Sequence, residues 1–158
     1  MRLIIAGLLL TAFACGRPHS SEQKSDEVRK RERLDALNQD YQEIVGNYIG
    51  SLELHEDGSL YSAQAELRIV QDIDSSTGLP LQPKIVGSIS VFEKINKKDE
   101  HLISYGITNG SYDNKTDQLA LDISDNLNIR GFANHDIIDA VLHSSIKGDV
   151  GKLSLKRE

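Results

Sequence analysis

From residue 46 to the end of the chain, apolar and polar side chains alternate with a period of two residues. This period is typical of β-strands, whose successive side chains point to opposite faces of a sheet. The alternation recurs in about eight segments and predicts an all-β domain over residues 44–158. The segments are Tyr48–Leu54, Ala63–Ile69, Ile85–Val91, Ile103–Ile107, Leu119–Ile123, Leu127–Ala133, Ile138–Leu142 and Gly151–Leu155.

Short polar turns separate several of these segments. Examples are His55–Ser59, which contains an Asp-Gly pair, Asp113–Asp117, and Asp125 with Asn126. Short connections join antiparallel neighbours, so the strands are expected to form a meander. Glycines inside the strand patterns, at positions 50, 87, 106, 131 and 151, favour a strongly curved sheet. The prediction is a closed or nearly closed β-barrel, with a β-sandwich as the alternative.

Before residue 44 the apolar positions follow the spacing of a helix. Leu34, Leu37, Tyr41 and Ile44 recur at intervals of three and four residues, and Ser25 is a candidate N-cap. The pattern predicts a helix over residues 26–43, solvated in its first half and packed in its second. Four basic residues between positions 29 and 33 fit a solvated face, or contact with anionic headgroups or the cell wall.

The junction between this helix and the first strand resembles the opening of lipocalin-type barrels. Those barrels carry Gly-x-Trp at this point, and this chain has Gly46-Asn47-Tyr48. Arg157 follows the last predicted strand and matches the arginine that packs over the tryptophan in the family. The resemblance implies a barrel whose interior holds a small apolar ligand, and it identifies no particular ligand.

The first fourteen residues have the composition of a secretory signal. Arg2 supplies a positive charge, Leu3–Leu10 is almost entirely apolar, and small residues lead to Cys15. The apolar stretch is shorter than the roughly 20 residues that a membrane-spanning helix needs. We therefore expect residues 1–14 to be a cleaved signal peptide, and residues 15–25 to be a flexible tether.

The end of the signal resembles the lipobox of bacterial lipoproteins, in which small residues precede a lipid-modified cysteine. Ala14 matches that pattern, whereas Ala12 and Phe13 replace its usual leucine and small residue. Ordinary cleavage of an A-x-A site would cut the same bond, between Ala14 and Cys15. Cys15 is the only cysteine, and acylation would remove a reactive thiol from an oxidising compartment. The resemblance implies a lipid-anchored protein of the cell envelope, and Gly16 after the cysteine favours the outer membrane.

Composition narrows the classes of function. The net charge of −6 and the absence of a basic cluster in the β-domain argue against a nucleic-acid partner. No histidine has another histidine two to four residues away, so no local metal pair is predicted. His135 and His143 are the candidates for a hydrolytic site, although no serine has a Gly-x-Ser-x-Gly context. Asp72–Gly78 matches part of a calcium loop, but Pro83 occupies the place of the bidentate glutamate.

The two faces of the predicted sheet differ in composition. One face is aliphatic and includes Leu52, Leu67, Ile69, Ile89, Leu121, Ile129 and Leu153, which could fill the barrel. The other face carries a second apolar set, Val86, Phe92, Tyr105 and Phe132, which needs covering. We expect the helix face of Leu34, Leu37 and Tyr41 to cover this set, with a partner protein as the second choice.

These features predict a non-enzymatic, lipid-anchored β-barrel module of the periplasm or outer membrane. It would bind an envelope partner, and no cofactor or metal is expected. The first alternative is a carrier of a small apolar ligand inside the barrel. The second is a hydrolase that uses His135 or His143.

Overall fold

The computed structural model of the protein describes residues 19–95 and 98–158. Within these ranges the chain forms one helix and one antiparallel sheet that curls into a half-barrel, so the predicted all-β meander is confirmed. The helix α1 is His19–Gln42. The strands are β1 Gly46–Leu54, β2 Leu60–Val70, β3 Lys84–Ile95, β4 Lys98–Ile107, β5 Asn109–Asp113, β6 Gln118–Ser124, β7 Leu127–Ala133, β8 Ile137–Ser144 and β9 Gly148–Arg157.

The nine strands belong to a single sheet in the order β4-β3-β2-β1-β9-β8-β7-β6-β5. The first and last strands, β1 and β9, are therefore neighbours in the middle of the sheet. Every pair of strands consecutive in sequence is adjacent except β4 and β5, which form the two edges of the sheet. A sandwich would require two separate sheets, so the structure favours the barrel-like alternative. Close approach of backbones explains one glycine of the pattern, because a Cβ atom at Gly87 would lie 1.8 Å from the carbonyl oxygen of Glu66.

The two edges of the sheet meet where β4 runs into β5. Ile107 pairs with Gly87 of β3, whereas Asn109, two residues later, pairs with Asp122 of β6. Between them, Thr108 donates its backbone N–H to the carbonyl oxygen of Asp122 at 3.0 Å. One long extended run thus crosses from one edge of the sheet to the other. The sheet closes at this corner and stays open along the first part of β4.

The interior is built from the aliphatic face predicted from the alternation. Six of its seven members are buried, and Ile69 is half-buried and packs against them. Tyr41, Ile44 and Tyr48, from α1 and the segment that follows it, belong to the same hydrophobic cluster. The helix therefore completes the core rather than standing apart from it. The buried six are Leu52, Leu67, Ile89, Leu121, Ile129 and Leu153.

The helix begins at His19, earlier than the Asp26 predicted, so part of the predicted flexible tether is helical. Glu22, Gln23 and Lys24 favour a helix, and no proline or glycine interrupts the stretch. The predicted division of the helix is confirmed, since residues 25–33 are exposed whereas Leu34 and Tyr41 are buried.

The half-barrel has two different ends. Helix α1, the loop 71–83, the turn 113–117 and the chain terminus lie at one end, which we call the capped end. The turns 55–59, 125–126 and 145–147 and the connection between β3 and β4 lie at the other, which we call the open end.

Candidate functional site at the open end

Three β-bulges occur where strands approach the open end. The pairing register shifts so that Leu102 in β4, Ile123 in β6 and Val150 in β9 are each an extra residue in their strand. A bulge bends its strand and changes the direction of a side chain, and bulges are frequent at barrel rims and beside functional sites. Ile123 and Val150 are partly buried against the core, whereas the side chain of Leu102 is 53% exposed.

The exposed bulge lies on an edge strand. β4 ends the sheet, and residues 98–104 are exposed on both of its faces. Ile103, which points inward opposite Val91, is still 40% exposed, because within residues 19–95 and 98–158 no strand covers it. An edge of this kind presents unpaired backbone N–H and C=O groups together with apolar side chains. This combination can pair with an extended segment of another protein.

The outer face beside the bulge is ordered by side-chain contacts. The rings of Phe92 and His101 meet edge to face, with their centroids 5.5 Å apart. His101 Nε2 lies 2.8 Å from Ser104 Oγ, which lies 2.8 Å from Ser90 Oγ. These contacts link β3 to β4 on both sides of Leu102. We call Phe92, His101, Leu102 and Ile103 the edge cluster.

The interior next to this edge has no space for a guest molecule. The cavity there has a volume of about 10 Å³ and an entirely apolar lining. A site needs roughly 10–15 Å³ on this measure to hold a single water molecule, together with polar partners. The lining residues are Leu52, Ile89, Val91, Tyr105, Ile123, Ile129, Leu142 and Leu153.

At the capped end, Arg157 connects the last strand to the end of the helix. Its guanidinium donates to the carbonyl oxygens of Val45, Glu43 and His135, and to the hydroxyl of Tyr48. Its central carbon lies 5.3 Å from the centroid of the Tyr48 ring. Burial raises the pKa of the Tyr48 phenol, and the positive charge of Arg157 opposes that shift.

The four residues of the predicted second apolar set do not form one surface. Tyr105 points inward, because it is paired with the buried Ile89 and lines the interior cavity. Phe132 on β7 is 60% exposed and is separated from Phe92 on β3 by four strands. Val86 is half-buried near the start of β3. Of the four, only Phe92 belongs to the edge cluster.

The helix does not cover this set, so that expectation was wrong. Helix α1 packs across the capped end, where Asn38 donates to the Gln71 side chain at 3.3 Å. Asn114 likewise donates to the Asp40 carboxylate at 2.7 Å. The physical reason is that the apolar side of the helix covers the ends of the strands, where it also contributes to the core. The predicted cleavage and lipidation residues, Ala14 and Cys15, lie outside the described residues.

The histidines of the hydrolase hypothesis lie at opposite ends of the molecule. His143 Nδ1 is 2.8 Å from the Asp149 carboxylate, at the open end, and no described serine hydrogen-bonds to its ring. His135 Nδ1 lies 3.3 Å from the carbonyl oxygen of Glu43, at the capped end. The geometry therefore brings together a histidine and a carboxylate, but no nucleophile beside them.

The acidic loop between β2 and β3 is held by contacts within the protein. The Asp74 carboxylate accepts hydrogen bonds from the backbone and hydroxyl of Ser76, which lower its pKa to about 2. Asp72 pairs with Lys84 at 3.2 Å. In the described part of the chain, no group of three or more His, Cys, Asp or Glu residues is arranged to hold a metal ion.

Comparison with known protein families, with characterised proteins and with solved structures finds no significant match for this chain. No helix within the described ranges combines the length and the apolar character that a membrane span requires. The candidate site is therefore defined by its geometry alone, namely an exposed sheet edge beside a filled interior.

Proposed function

We propose that this protein is a lipid-anchored module of the bacterial cell envelope, held at the outer membrane by acylated Cys15, that works by binding a protein partner. The anchor is supported by the order of positive charge, apolar stretch and small residues before the single cysteine. More than one acyl chain on that cysteine would give stable attachment, since one chain alone is marginal.

The observation that carries the binding function is the open edge of β4. A protein that works alone normally protects such an edge with charges, a covering loop or closure of the barrel. Lys98, Asp99 and Glu100 protect the tip of the β3–β4 hairpin with charge, but Leu102 and Ile103 follow directly and remain exposed. An envelope protein that supplies an extended segment would satisfy both the backbone groups and the apolar side chains of this edge.

The carrier alternative has less support. The contact between Arg157 and Tyr48 fits the lipocalin resemblance, but the interior cavity of about 10 Å³ is too small for even a short apolar ligand. A drug-sized ligand occupies a pocket of roughly 300–1,000 Å³. The hydrolase alternative lacks a nucleophile beside either His135 or His143 among the described residues.

The anchor is tested by mass spectrometry of the protein extracted from its own membranes, together with fractionation of a Cys15→Ser variant. We expect the mature mass to correspond to residues 15–158 plus acyl groups, and the variant to leave the membrane fraction or to remain unprocessed. A mature mass without acyl groups would exclude the anchor and leave plain secretion.

The binding surface is tested by photo-crosslinking in cells. A photoreactive residue replaces Leu102 in one variant and Lys152, on the outer face of β9, in the other. We expect a defined protein adduct at position 102 and none at position 152. Adducts that form only at position 152, or equally at both positions, would contradict the assignment of the partner surface to the open edge.

A further inference from the structure

A groove runs between α1 and the turn that joins β5 to β6, at the capped end. Its volume is about 690 Å³. Lys30 and Arg33 line it from the helix and Lys115 lines it from the turn, while Leu34 and Leu37 are among the apolar residues of its floor. Three cationic side chains therefore surround an apolar floor, on the side of the molecule opposite to the edge cluster.

The groove carries three cations and two carboxylates, Asp40 and Asp113. Among residues 25–94 and 98–158, none of Lys30, Arg33 and Lys115 forms an ion pair. The two carboxylates at the groove have other partners. Asp40 accepts from the Asn114 amide at 2.7 Å, and Asp113 accepts from the backbone N–H of Lys115 at 3.0 Å. These donors are uncharged and leave both carboxylates negative, so the cations of the groove outnumber its carboxylates by one.

The charges of the helix are divided between its sides. Successive residues of a helix are turned by about 100°, so Lys30 and Arg33 lie on the side of Leu37. Glu32 and Asp35 fall on the opposite side and do not line the groove. Asp26 lies one turn before Lys30 on the groove side, beyond the residues that form the groove. With Asp40 and Asp113 counted against the three cations, the groove carries a net charge of about +1, although the whole chain is acidic.

We infer that this groove seats the headgroups of anionic phospholipids in the membrane to which the chain is anchored. The inference rests on the proposed lipid anchor at Cys15. Cationic side chains provide the attraction to anionic headgroups, and the apolar floor can receive the glycerol and upper acyl region of the same lipid. The charge of the groove argues for an anionic occupant, since its three cations exceed its two carboxylates.

The position of the groove along the chain sets the orientation of the protein. His19 is four residues after Cys15, a reach of about 14 Å at most. Lys30 lies eleven residues further along the helix, a rise of roughly 17 Å. An upright helix would hold Lys30 beyond the electrostatic reach of the surface, which is about 8–10 Å at physiological salt. Lipid binding at the groove therefore requires that helix α1 lie along the membrane, with the capped end towards the lipid and the edge cluster directed away from it.

The inference is tested with the mature chain carrying Cys15→Ser, so that no acyl group contributes to binding. The probes are vesicles of phosphatidylcholine alone and vesicles with roughly 30% phosphatidylglycerol, compared by co-sedimentation at low salt. The test variant combines Lys30→Ala, Arg33→Ala and Lys115→Ala. The matched control combines Lys94→Ala, Lys98→Ala and Lys152→Ala, which removes three exposed cations far from the groove.

We expect the unaltered chain and the control to bind the anionic vesicles and not the neutral ones. The test variant should lose at least about tenfold in affinity, since each basic residue near an anionic surface contributes about 1 kcal/mol. Circular dichroism checks that both variants keep the sheet. Equal losses in both variants, equal binding to both kinds of vesicle, or no binding by the unaltered chain would each overturn the inference. The mass and fractionation results on Cys15 are independent of this assay, so failure of the anchor and failure of the groove are distinguishable.

Discussion

The two ends of the half-barrel differ in how far their strand ends and apolar side chains are covered. A curled sheet leaves the ends of its strands, and the apolar side chains between them, without cover. At the capped end, Tyr41 of α1 and Ile44, two residues beyond the helix, contribute to the core. Arg157 donates to three backbone carbonyl oxygens where the helix meets the sheet. At the open end no element among the described residues covers β4, and Leu102 and Ile103 are exposed. This difference is the basis for the proposal that the open end, and not the capped end, recognises a protein partner.

The largest expected effect comes from the residue that joins the helix to the core. Ile44 is fully buried in the main hydrophobic cluster. Ile44→Ala should lower the free energy of unfolding by about 3 kcal/mol, because it removes buried methylene groups and leaves a cavity. Urea denaturation measures this effect, and Val28→Ala is the matched control, since Val28 is 53% exposed on the free half of the helix. A loss below about 1 kcal/mol would mean that the junction between the helix and the sheet is not part of the cooperative core.

Removal of the arginine at the same end should have the next largest effect. Arg157→Ala leaves the carbonyl oxygens of Glu43, Val45 and His135 without a donor that they have in the native protein. We expect a loss of about 2 kcal/mol, which denaturation in urea again measures. Arg157→Lys should recover less than half of it, because a lysine cannot reproduce the planar set of donors. If Arg157→Lys recovered all of the lost free energy of unfolding, the positive charge alone would explain the effect. Lys156→Ala, on the same strand, is the control.

The alternation of apolar residues was sufficient to predict most of this architecture, but it missed β5. That strand reads Asn-Gly-Ser-Tyr-Asp, and its two inward positions are Gly110 and Tyr112. Gly110 points inward without an apolar side chain because a Cβ atom there would lie 2.7 Å from the side chain of Leu121. A strand whose inward residues are a glycine and a tyrosine does not produce the aliphatic alternation on which the prediction relied.

The candidate site was harder to predict for a related reason. A β-bulge adds one residue and shifts the alternation, and neither effect is visible without knowing the partner strand. Tyr105 was assigned to the outer face, whereas its pairing with Ile89 directs it inward. Arg157 and Tyr48 were identified only through the family resemblance, because no spacing rule links residues so far apart in the sequence.

Alkaline pH offers a further test of the capped end. Burial, together with the nearby Asp117 carboxylate, raises the pKa of Tyr112 to about 12. The folded state holds the phenol proton more tightly than the unfolded chain, whose tyrosine pKa is about 10. This contribution to stability is complete below pH 10 and is lost as the pH rises towards 12. Tyr112→Phe should cost about 1 kcal/mol at neutral pH and should flatten the alkaline part of the stability profile.

The control for this titration is Tyr61→Phe, which removes a phenol near the open end. Burial also raises the pKa of Tyr41 and Tyr48, so the Tyr112→Phe protein should keep some of its alkaline sensitivity. Urea midpoints between pH 9 and pH 12 measure both variants. If Tyr61→Phe flattens the profile as much as Tyr112→Phe does, the alkaline sensitivity cannot be assigned to the capped end.

The smallest expected effect on stability is that of Leu102→Ala, which tests whether the open end binds a partner. Leu102, Ile123 and Val150 are all bulged residues of the rim, but Ile123 and Val150 pack against the core and Leu102 does not. Leu102→Ala should change the free energy of unfolding by less than about 0.5 kcal/mol, whereas Ile123→Ala should cost about 2 kcal/mol. Leu102→Ala should nevertheless weaken capture of the partner that crosslinks at this edge. If Leu102→Ala leaves the free energy of unfolding unchanged but weakens binding, the leucine side chain serves to contact the partner and not to stabilise the fold. A large loss of stability would instead assign Leu102 to the core and leave β4 without an exposed apolar anchor.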